Sequence, residues 1–467
     1  MTTTLSLQQV DDLRACCRGV VSLPGDPGYD AGRHTWSAAV DHRPVAIVRC
    51  ADIEDIRAAM LFARERGLAV SVHAGGHDVA EHAEVARSIM LDMSELKNIT
   101  IDPVTRRATV APGVTWVEFD RACAAYGLAV TGADVSTVGV IGTALSGGSG
   151  WLQRAFGFTC DNVLAAQVVT ADGRVVTADA NQHADLFWAL RGGGGNFGIV
   201  TSLDLRLHPI GRVYAGTLLY RYADARAVLT GFREFTVDAP AELSLRATLI
   251  HWPPTSPEGP PMAAITASYL GPADQARSVL DRLRRIGEPE LDLLRPLSYP
   301  ELQRNTEQAF HTGHATATGT EWLRALDDRT IDGLVDLGAR MPTRHSLISI
   351  HQLGGALRRM PSGATSFAYH DAAYHLVVFS GGPTGCDLTP ARRWIARITE
   401  TVQNCSAGGP YIGILDGTAA PERIRNAYGL DGYRRLTHIK TEYDPDNILR
   451  CNHNIPPLPG ARSEAAR

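Results

Sequence analysis

The residues best placed to do chemistry stand in Val72–Ala80, V-H-A-G-G-H-D-V-A. Gly75 and Gly76 let the backbone turn tightly and approach a ligand, with N–H donors free to face an anion. His77 follows at once. Alone, a Gly-Gly-His more commonly marks a loop histidine satisfied by its neighbours. A second stretch of this kind covers Ser136–Asn162, with five glycines between Gly139 and Gly150. A third is Arg191–Gly198, R-G-G-G-G-N-F-G. Small residues of this kind suit packing against a bulky planar ligand or its diphosphate. The second stretch has no following G-K-[ST], and no strand-G-x-G-x-x-G-helix unit with a later acid is present. A dinucleotide would therefore be held by neither a P-loop nor a Rossmann unit.

Other candidates are weaker. His351 and Gln352 lie in S-I-H-Q-L-G-G-A at the end of an expected strand. Alternation turns them to opposite faces, so one of the two reaches a cavity and the other is a satisfied sheet residue. His311 and His314, in H-T-G-H, have metal-binding spacing, but no carboxylate or cysteine nearby completes a site. No metal is expected. The eight cysteines, at 16, 17, 50, 123, 160, 386, 405 and 451, form no C-x-x-C. They read as free thiols of a cytoplasmic protein.

Bulk properties narrow the classes. At 467 residues the chain predicts more than one core. Its 44% apolar and 20% charged content is that of a globular protein. A net charge of -5, without a Lys/Arg block, argues against nucleic acid and anionic membranes. No apolar run reaches about 18 residues, so no membrane span is expected.

The elements that must position these residues follow from periodicity. Pro44–Arg49 and Leu68–Val72 predict strands around a helix over Ile53–Arg66, capped by Asp52 and stopped at Gly67. Strands follow at Arg87–Met93, Leu96–Asp102 and Arg107–Pro112, then a helix over Thr115–Tyr126. Val163–Thr170 and Arg174–Thr177 predict a hairpin about Asp172–Gly173. A helix at Ala184–Leu190 and a strand at Val200–His208 close this half. From about residue 210 strands dominate: Tyr214–Tyr220, Leu243–Trp252, Ala263–Leu270, Leu347–His351, Ser366–Tyr369 and His375–Phe379. Their alternation predicts one covered face and one face lining a cavity. Helices are expected at Ala225–Phe235, Ala276–Arg285, Thr330–Ala339, Ala391–Val402, Pro421–Tyr428 and Gly432–Tyr443.

These motifs together resemble the berberine-bridge-enzyme-like FAD-linked oxidases, of the vanillyl-alcohol-oxidase type. The matching runs are V-x-A-G-G-H at 72–77, S-T-V-G-V-I-G at 136–142 and G-G-S-G-W-L-Q-R-A-F-G-F at 147–158. D-N-V at 161–163, A-D-G-R at 171–174, R-G-G-G-G-N-F-G-I-V at 191–200 and Y-D-P-D-N-I-L-R-C-N-H-N-I-P-P at 443–457 continue them. The resemblance implies an α+β fold. A vanillyl-alcohol-oxidase/PCMH-type FAD-binding domain would span 1–208 and a substrate domain with an antiparallel sheet flanked by helices 209–409, with 410–467 returning to the first. It implies FAD joined covalently to His77. Val135 stands where many relatives place a second, cysteine tether, so a single link is expected. The implied cofactor contacts are His73, Ala74, Gly75, Gly76 and Asp78 in the first loop. Val138, Gly139, Gly142, Thr143, Gly147, Gly148, Gly150, Trp151 and Asp161 follow in the second. Gly195, Asn196, Gly198 and Val200 come from the third, and Asn452 and Asn454 from the C-terminal motif.

By the same resemblance Tyr411 faces substrate near the flavin and Val138 borders an oxygen-accessible pocket. Three positions depart from the family: His73 replaces arginine, Gly413 an asparagine, and His370 an arginine. The expected reaction is oxidation of a hydroxyl-bearing, apolar or aromatic secondary metabolite. Hydride passes to the flavin, O2 reoxidises it, and Tyr411, His351, Gln352 or His370 handles the proton. Amine oxidation, flavin-dependent oxygenation and drug sequestration are the alternatives. The expected partners are a small organic substrate and O2, in a monomer or homodimer.

Overall fold

The expected strands and amphipathic helices fold into three main sheets. The computed structural model describes residues 5–253, 259–307 and 312–460. His311 lies outside them. The first sheet holds β1 (Val20–Ser22), β2 (Ala46–Arg49), β3 (Ala69–His73) and β4 (Ser88–Asp92) in the order β1-β2-β4-β3. β2 and β3 both run parallel to β4. Helix Ile53–Glu65 crosses between them, its first N–H groups bound by the Asp52 side chain. Ile56, Ala59, Met60 and Ala63 of that helix share a core with Val48, Val70, Ile89 and Leu91. β3 thus delivers the chain to the Gly-Gly-His loop from a fully packed base.

The second sheet is β5 (Ile99–Asp102), β6 (Arg107–Val110), β7 (Val163–Val169), β8 (Val175–Asp179) and β9 (Ile199–Arg206), ordered β5-β6-β9-β7-β8. β7 and β8 form the expected hairpin. Helix Trp116–Ala124 buries Trp116, Phe119 and Cys123 in the same core as this sheet.

The third sheet is eight-stranded and antiparallel. Its long strands are β10 (Val213–Arg221), β11 (Leu243–His251), β12 (Pro261–Tyr269), β13 (His314–Leu323), β14 (Leu347–Gln352) and β15 (Tyr374–Pro383), ordered β10-β12-β11-β14-β15-β13. One face carries Leu218, Leu245, Ala247, Ile265, Ile348, Leu376 and Val378. It is covered by helices Ala225–Val237, Ala273–Arg284, Asp328–Gly338 and Thr389–Val402, whose buried residues belong to the same core.

Several elements differ from expectation. β13 was not expected because Ala315-Thr316-Ala317-Thr318-Gly319-Thr320 alternates threonine only with Ala and Gly, which are depleted in strands, although every residue from Ala315 to Leu323 is buried. Helix Tyr299–Glu307 was also not expected. Ser366–Tyr369, expected as a strand, pairs with nothing in a sheet. Phe367 and Tyr369 instead join Phe158, Trp322 and Tyr411 in an aromatic cluster, so their apolar character reflects side-chain packing rather than strand pairing.

The C-terminal segment returns to the first two sheets and is locked by a buried ion pair. Lys440 Nζ donates to Asp444 Oδ2 at 2.6 Å, Asn196 O at 2.9 Å and Leu449 O at 2.9 Å. Asp444 also accepts the N–H groups of Ile448 and Leu449. Both side chains are 0% exposed. All three ammonium donors are therefore satisfied, which offsets the desolvation of the pair. Replacing Lys440 with Met leaves the Asp444 carboxylate buried and unpaired. The expected loss is about 3–5 kcal/mol, seen as a lower urea midpoint; an unchanged midpoint would show that this pair does not hold the C-terminal return.

Candidate active site

A cavity of about 970 Å³ lies between the glycine-rich loops and the bare face of the third sheet. Its first wall is backbone-rich. Ala74, Gly75, Gly76, His77 and Asp78 line it from the loop after β3, and Val138, Gly139, Gly142 and Thr143 from the second glycine stretch. Gly195, Asn196, Gly198, Val200 and Asn452 complete it. Gly75 is packed so closely on Gly139 that a side chain would strike its backbone nitrogen. A Cβ on Gly142 or Gly195 would meet no protein atom within 4 Å, because the space beyond is the cavity. Asn452 Oδ1 is buried without a hydrogen-bond partner. A flat, polar dinucleotide fits this wall: it needs close backbone approach and supplies partners for orphaned polar groups.

His77 sits in this wall under a clamp. Its Nε2 is 2.8 Å from Thr137 Oγ1. Trp36 stacks on its ring at 5.4 Å and 20°. Burial, and then nearby His73, push its pKa down to about 4, so the imidazole is neutral. The next residue is charged. Burial opposes ionisation of Asp78, but His82 at 3.0 Å, with His453 and the Ala80 N–H, holds its carboxyl below the usual range.

The second wall is the sheet. Strand register aligns His375, His351, Arg246, Thr266 and Thr217 in one row across β15, β14, β11, β12 and β10, and all five line the cavity. The next row, Val377, Ser349, Thr248 and Ala264, is mixed; the third, Phe379, Leu347 and Ile250, is apolar. The wall therefore grades from polar to apolar. Arg246 donates to Asp134 at 2.5 Å and lies over the Trp151 ring at 3.6 Å. His375 stacks on Trp322 at 4.2 Å, and its Nε2 is 2.9 Å from Thr320 Oγ1. Nδ1 of both His375 and His351 is buried without a partner. Burial, then Arg246, push His375 down to about 3; burial, Arg246 and His375 hold His351 well below its usual value. Both are neutral imidazoles.

Tyr411 lines the cavity 5.3 Å from the His375 ring, at right angles to it. Its hydroxyl accepts the Gly148 N–H at 3.0 Å. Burial raises its pKa despite that bond, so it stays a phenol. A side chain on Gly413 would strike the Tyr411 ring, so the glycine leaves room for this tyrosine position.

Several expected site residues do not line the cavity. Gln352 faces the other side of β14 and donates to Thr236 O at 3.3 Å. His370 bonds Asp161 at 2.8 Å, and neither His370 nor Asp161 is among the residues lining the cavity. Gly147, Gly148 and Gly150 serve close packing: a Cβ would strike Phe367, Thr159 and Gly132 respectively. His73 turns toward Asp92, with Nδ1 3.7 Å from Oδ1, too long for a hydrogen bond. Asn454 is also outside the lining. The sequence reading missed His375, Arg246, Asp134 and Trp36 because cross-strand register and loop return, not local pattern, bring them in. Among the described residues no cluster of His, Cys, Asp or Glu could hold a metal. No helix there is long and apolar enough to cross a membrane.

Comparison with known proteins agrees with this arrangement. Residues 44–179 match the FAD binding domain family, and residues 410–456 the berberine and berberine-like family. The (R)-6-hydroxynicotine oxidase of Paenarthrobacter nicotinovorans is 30% identical over 94% of this chain and 97% of its own. An FAD-linked oxidoreductase of Dictyostelium discoideum is 29% identical over 97% of each. Among solved structures, 6-hydroxy-D-nicotine oxidase from Arthrobacter nicotinovorans superposes with a TM-score of 0.85 at 24% identity, covering 95% of this chain and 98% of that one. A carbohydrate oxidase from Microdochium nivale gives 0.84 at 19%, covering 96% and 100%. With FAD-domain and berberine-like signatures at its two ends and full-length likeness between them, the chain belongs to the berberine-bridge-enzyme-like FAD-linked oxidases, FAD-dependent enzymes of the vanillyl-alcohol-oxidase/PCMH-type fold.

Proposed function

We propose that the protein oxidises a carbon bearing a hydroxyl group on a small apolar or aromatic molecule, passing the electrons to O2 and releasing hydrogen peroxide. The observation that carries this reading is the pair of neutral imidazoles, His351 and His375, that line the cavity with Nδ1 unpartnered. FAD, when bound, supplies the acceptor for the hydride. Ala74–Asp78, Gly142, Gly195 and Asn452 would hold it, with His77 as its single covalent tether, since Val135 has no thiol.

The protein groups then divide the work. In the tautomer that donates Nε2–H to Thr320, His375 keeps its lone pair on Nδ1, where it would accept the substrate hydroxyl proton. His351, its cross-strand neighbour, is a second polar contact for the same end of the substrate. Tyr411 stays protonated and orients by hydrogen bonding rather than acting as base. Phe379, Leu347, Ile250 and Trp252 suit an apolar far end. Val138 lines the cavity, and its match to the family position supports use of O2. Relatives named as hydroxynicotine and carbohydrate oxidases are in keeping with this.

An amine substrate is the alternative, and it would react as the neutral amine, the form that can give hydride. The charged ammonium form is poorly served, because the carboxylates that line the cavity among the described residues are already paired. Asp134 binds Arg246 at 2.5 Å, Asp292 binds Arg284 at 2.6 Å, and Asp78 binds His82 at 3.0 Å.

Anaerobic mixing with primary, benzylic and sugar alcohols tests the reading: an alcohol should bleach the flavin, and His375→Asn should slow bleaching about 100- to 10,000-fold. Bleaching by amines alone, or label from oxygen gas in the product, would show another reaction. A second expectation concerns pH. A base must be unprotonated, and His375 is pushed down to about 3. The acid side of the kcat/KM profile should therefore stay flat from roughly pH 8 down to 5, where an ordinary histidine would lose its base form near 6.5. An acid limb centred near 6.5 would rule His375 out.

A further inference from the structure

We propose that Thr137 selects Nδ1 of His77 as the atom that carries the flavin, with Trp36 fixing the plane of the ring. This rests on the covalent reading above. An imidazole offers two nitrogens, and only one lone pair is available in the neutral ring. Nε2 of His77 is already engaged, 2.8 Å from Thr137 Oγ1. Nδ1 has no such partner. When the threonine oxygen accepts Nε2–H, the lone pair is fixed on Nδ1, the nucleophilic position.

The surroundings keep the ring ready. Burial and His73 hold it neutral, and only a neutral imidazole can attack carbon. Trp36 covers one face, stacked at 20°. The main chain that carries this indole is tied on both sides: Trp36 N donates to Gly76 O at 2.8 Å, and Gly313 N donates to Trp36 O at 2.8 Å. Ring rotation about its bond to the chain is thus restrained by a face contact and an edge contact together.

The chemistry balances. A bond forms between Nδ1 and the flavin 8-methyl carbon. That carbon loses one proton, the imidazole loses its Nε2 proton, and two electrons pass to the isoalloxazine ring. Dioxygen takes up the two electrons and two protons and leaves as hydrogen peroxide. Thr137 can serve on both sides of this step, since a hydroxyl accepts from Nε2–H beforehand and donates to bare Nε2 afterwards.

The test compares the wild-type holoenzyme with Thr137→Val and Thr137→Ser, expressed identically. Covalent flavin is measured as the fraction retained on acid precipitation. The linked nitrogen is identified by NMR of the isolated flavin peptide. Thr137 is exposed, so neither variant opens the core. The wild type should carry flavin on Nδ1. Thr137→Val should lower the covalent-to-released ratio about tenfold, the worth of one hydrogen bond, or give a mixture of isomers; Thr137→Ser should restore both. A wild-type bond at Nε2 overturns the proposal, as does an unaltered Thr137→Val or a Thr137→Ser as impaired as Thr137→Val. Wild-type flavin wholly released by acid overturns the covalent reading itself.

Discussion

The Lys440–Asp444 pair is the constraint on which the cofactor wall depends. A fully buried ammonium is tolerable only when every donor is spent, and here they are spent on three chain segments. One is the carbonyl of Asn196, in the third glycine loop. Another is Leu449, next to Ile448, whose carbonyl accepts Val70 N at 3.0 Å from the first sheet. The same pair therefore joins the end of the chain to loops formed some 250 residues earlier in the sequence. Asn452 and His453 reach the cavity because this connection places them there.

The cavity is the meeting of two unlike surfaces. The loop wall offers backbone and small residues, which suits a large planar cofactor. The sheet wall offers side chains in fixed rows, which suits discrimination among substrates. Burial then sets the chemistry of that wall. It keeps His375 and His351 neutral and Tyr411 protonated, and it leaves ionic groups tolerable only as pairs.

The departures from the family pattern have physical consequences here. Gly413 gives the Tyr411 ring its place, while His370 is spent on Asp161, outside the residues that line the cavity. His73 leans on Asp92 behind the loop and acts on His77 only through space. Gly147, Gly148 and Gly150 let the second glycine stretch pack tightly on Phe367, Thr159 and Gly132.

Much of the fold was legible in local pattern. The Asp52-capped helix, the β7–β8 hairpin and the alternating strands of the third sheet each follow from short-range sterics and burial, which periodicity records directly. The loop carrying His77 was legible for the same reason, since glycine is needed where Gly75 meets Gly139. β13 was not legible, because its alternation sets threonine against Ala and Gly, which are depleted in strands, and Phe367 misled because an aromatic cluster demands the same residue types as a strand. By itself the sequence determined the cofactor class, the tether candidate and the presence of a cavity-facing sheet. Tertiary structure decided that His351 and His375 line the cavity with Nδ1 unpartnered, that Arg246 is already paired, and that Thr137 and Trp36 clamp His77. Those depend on strand register and on contacts between segments distant in sequence, where one residue of slip would turn a different side chain inward.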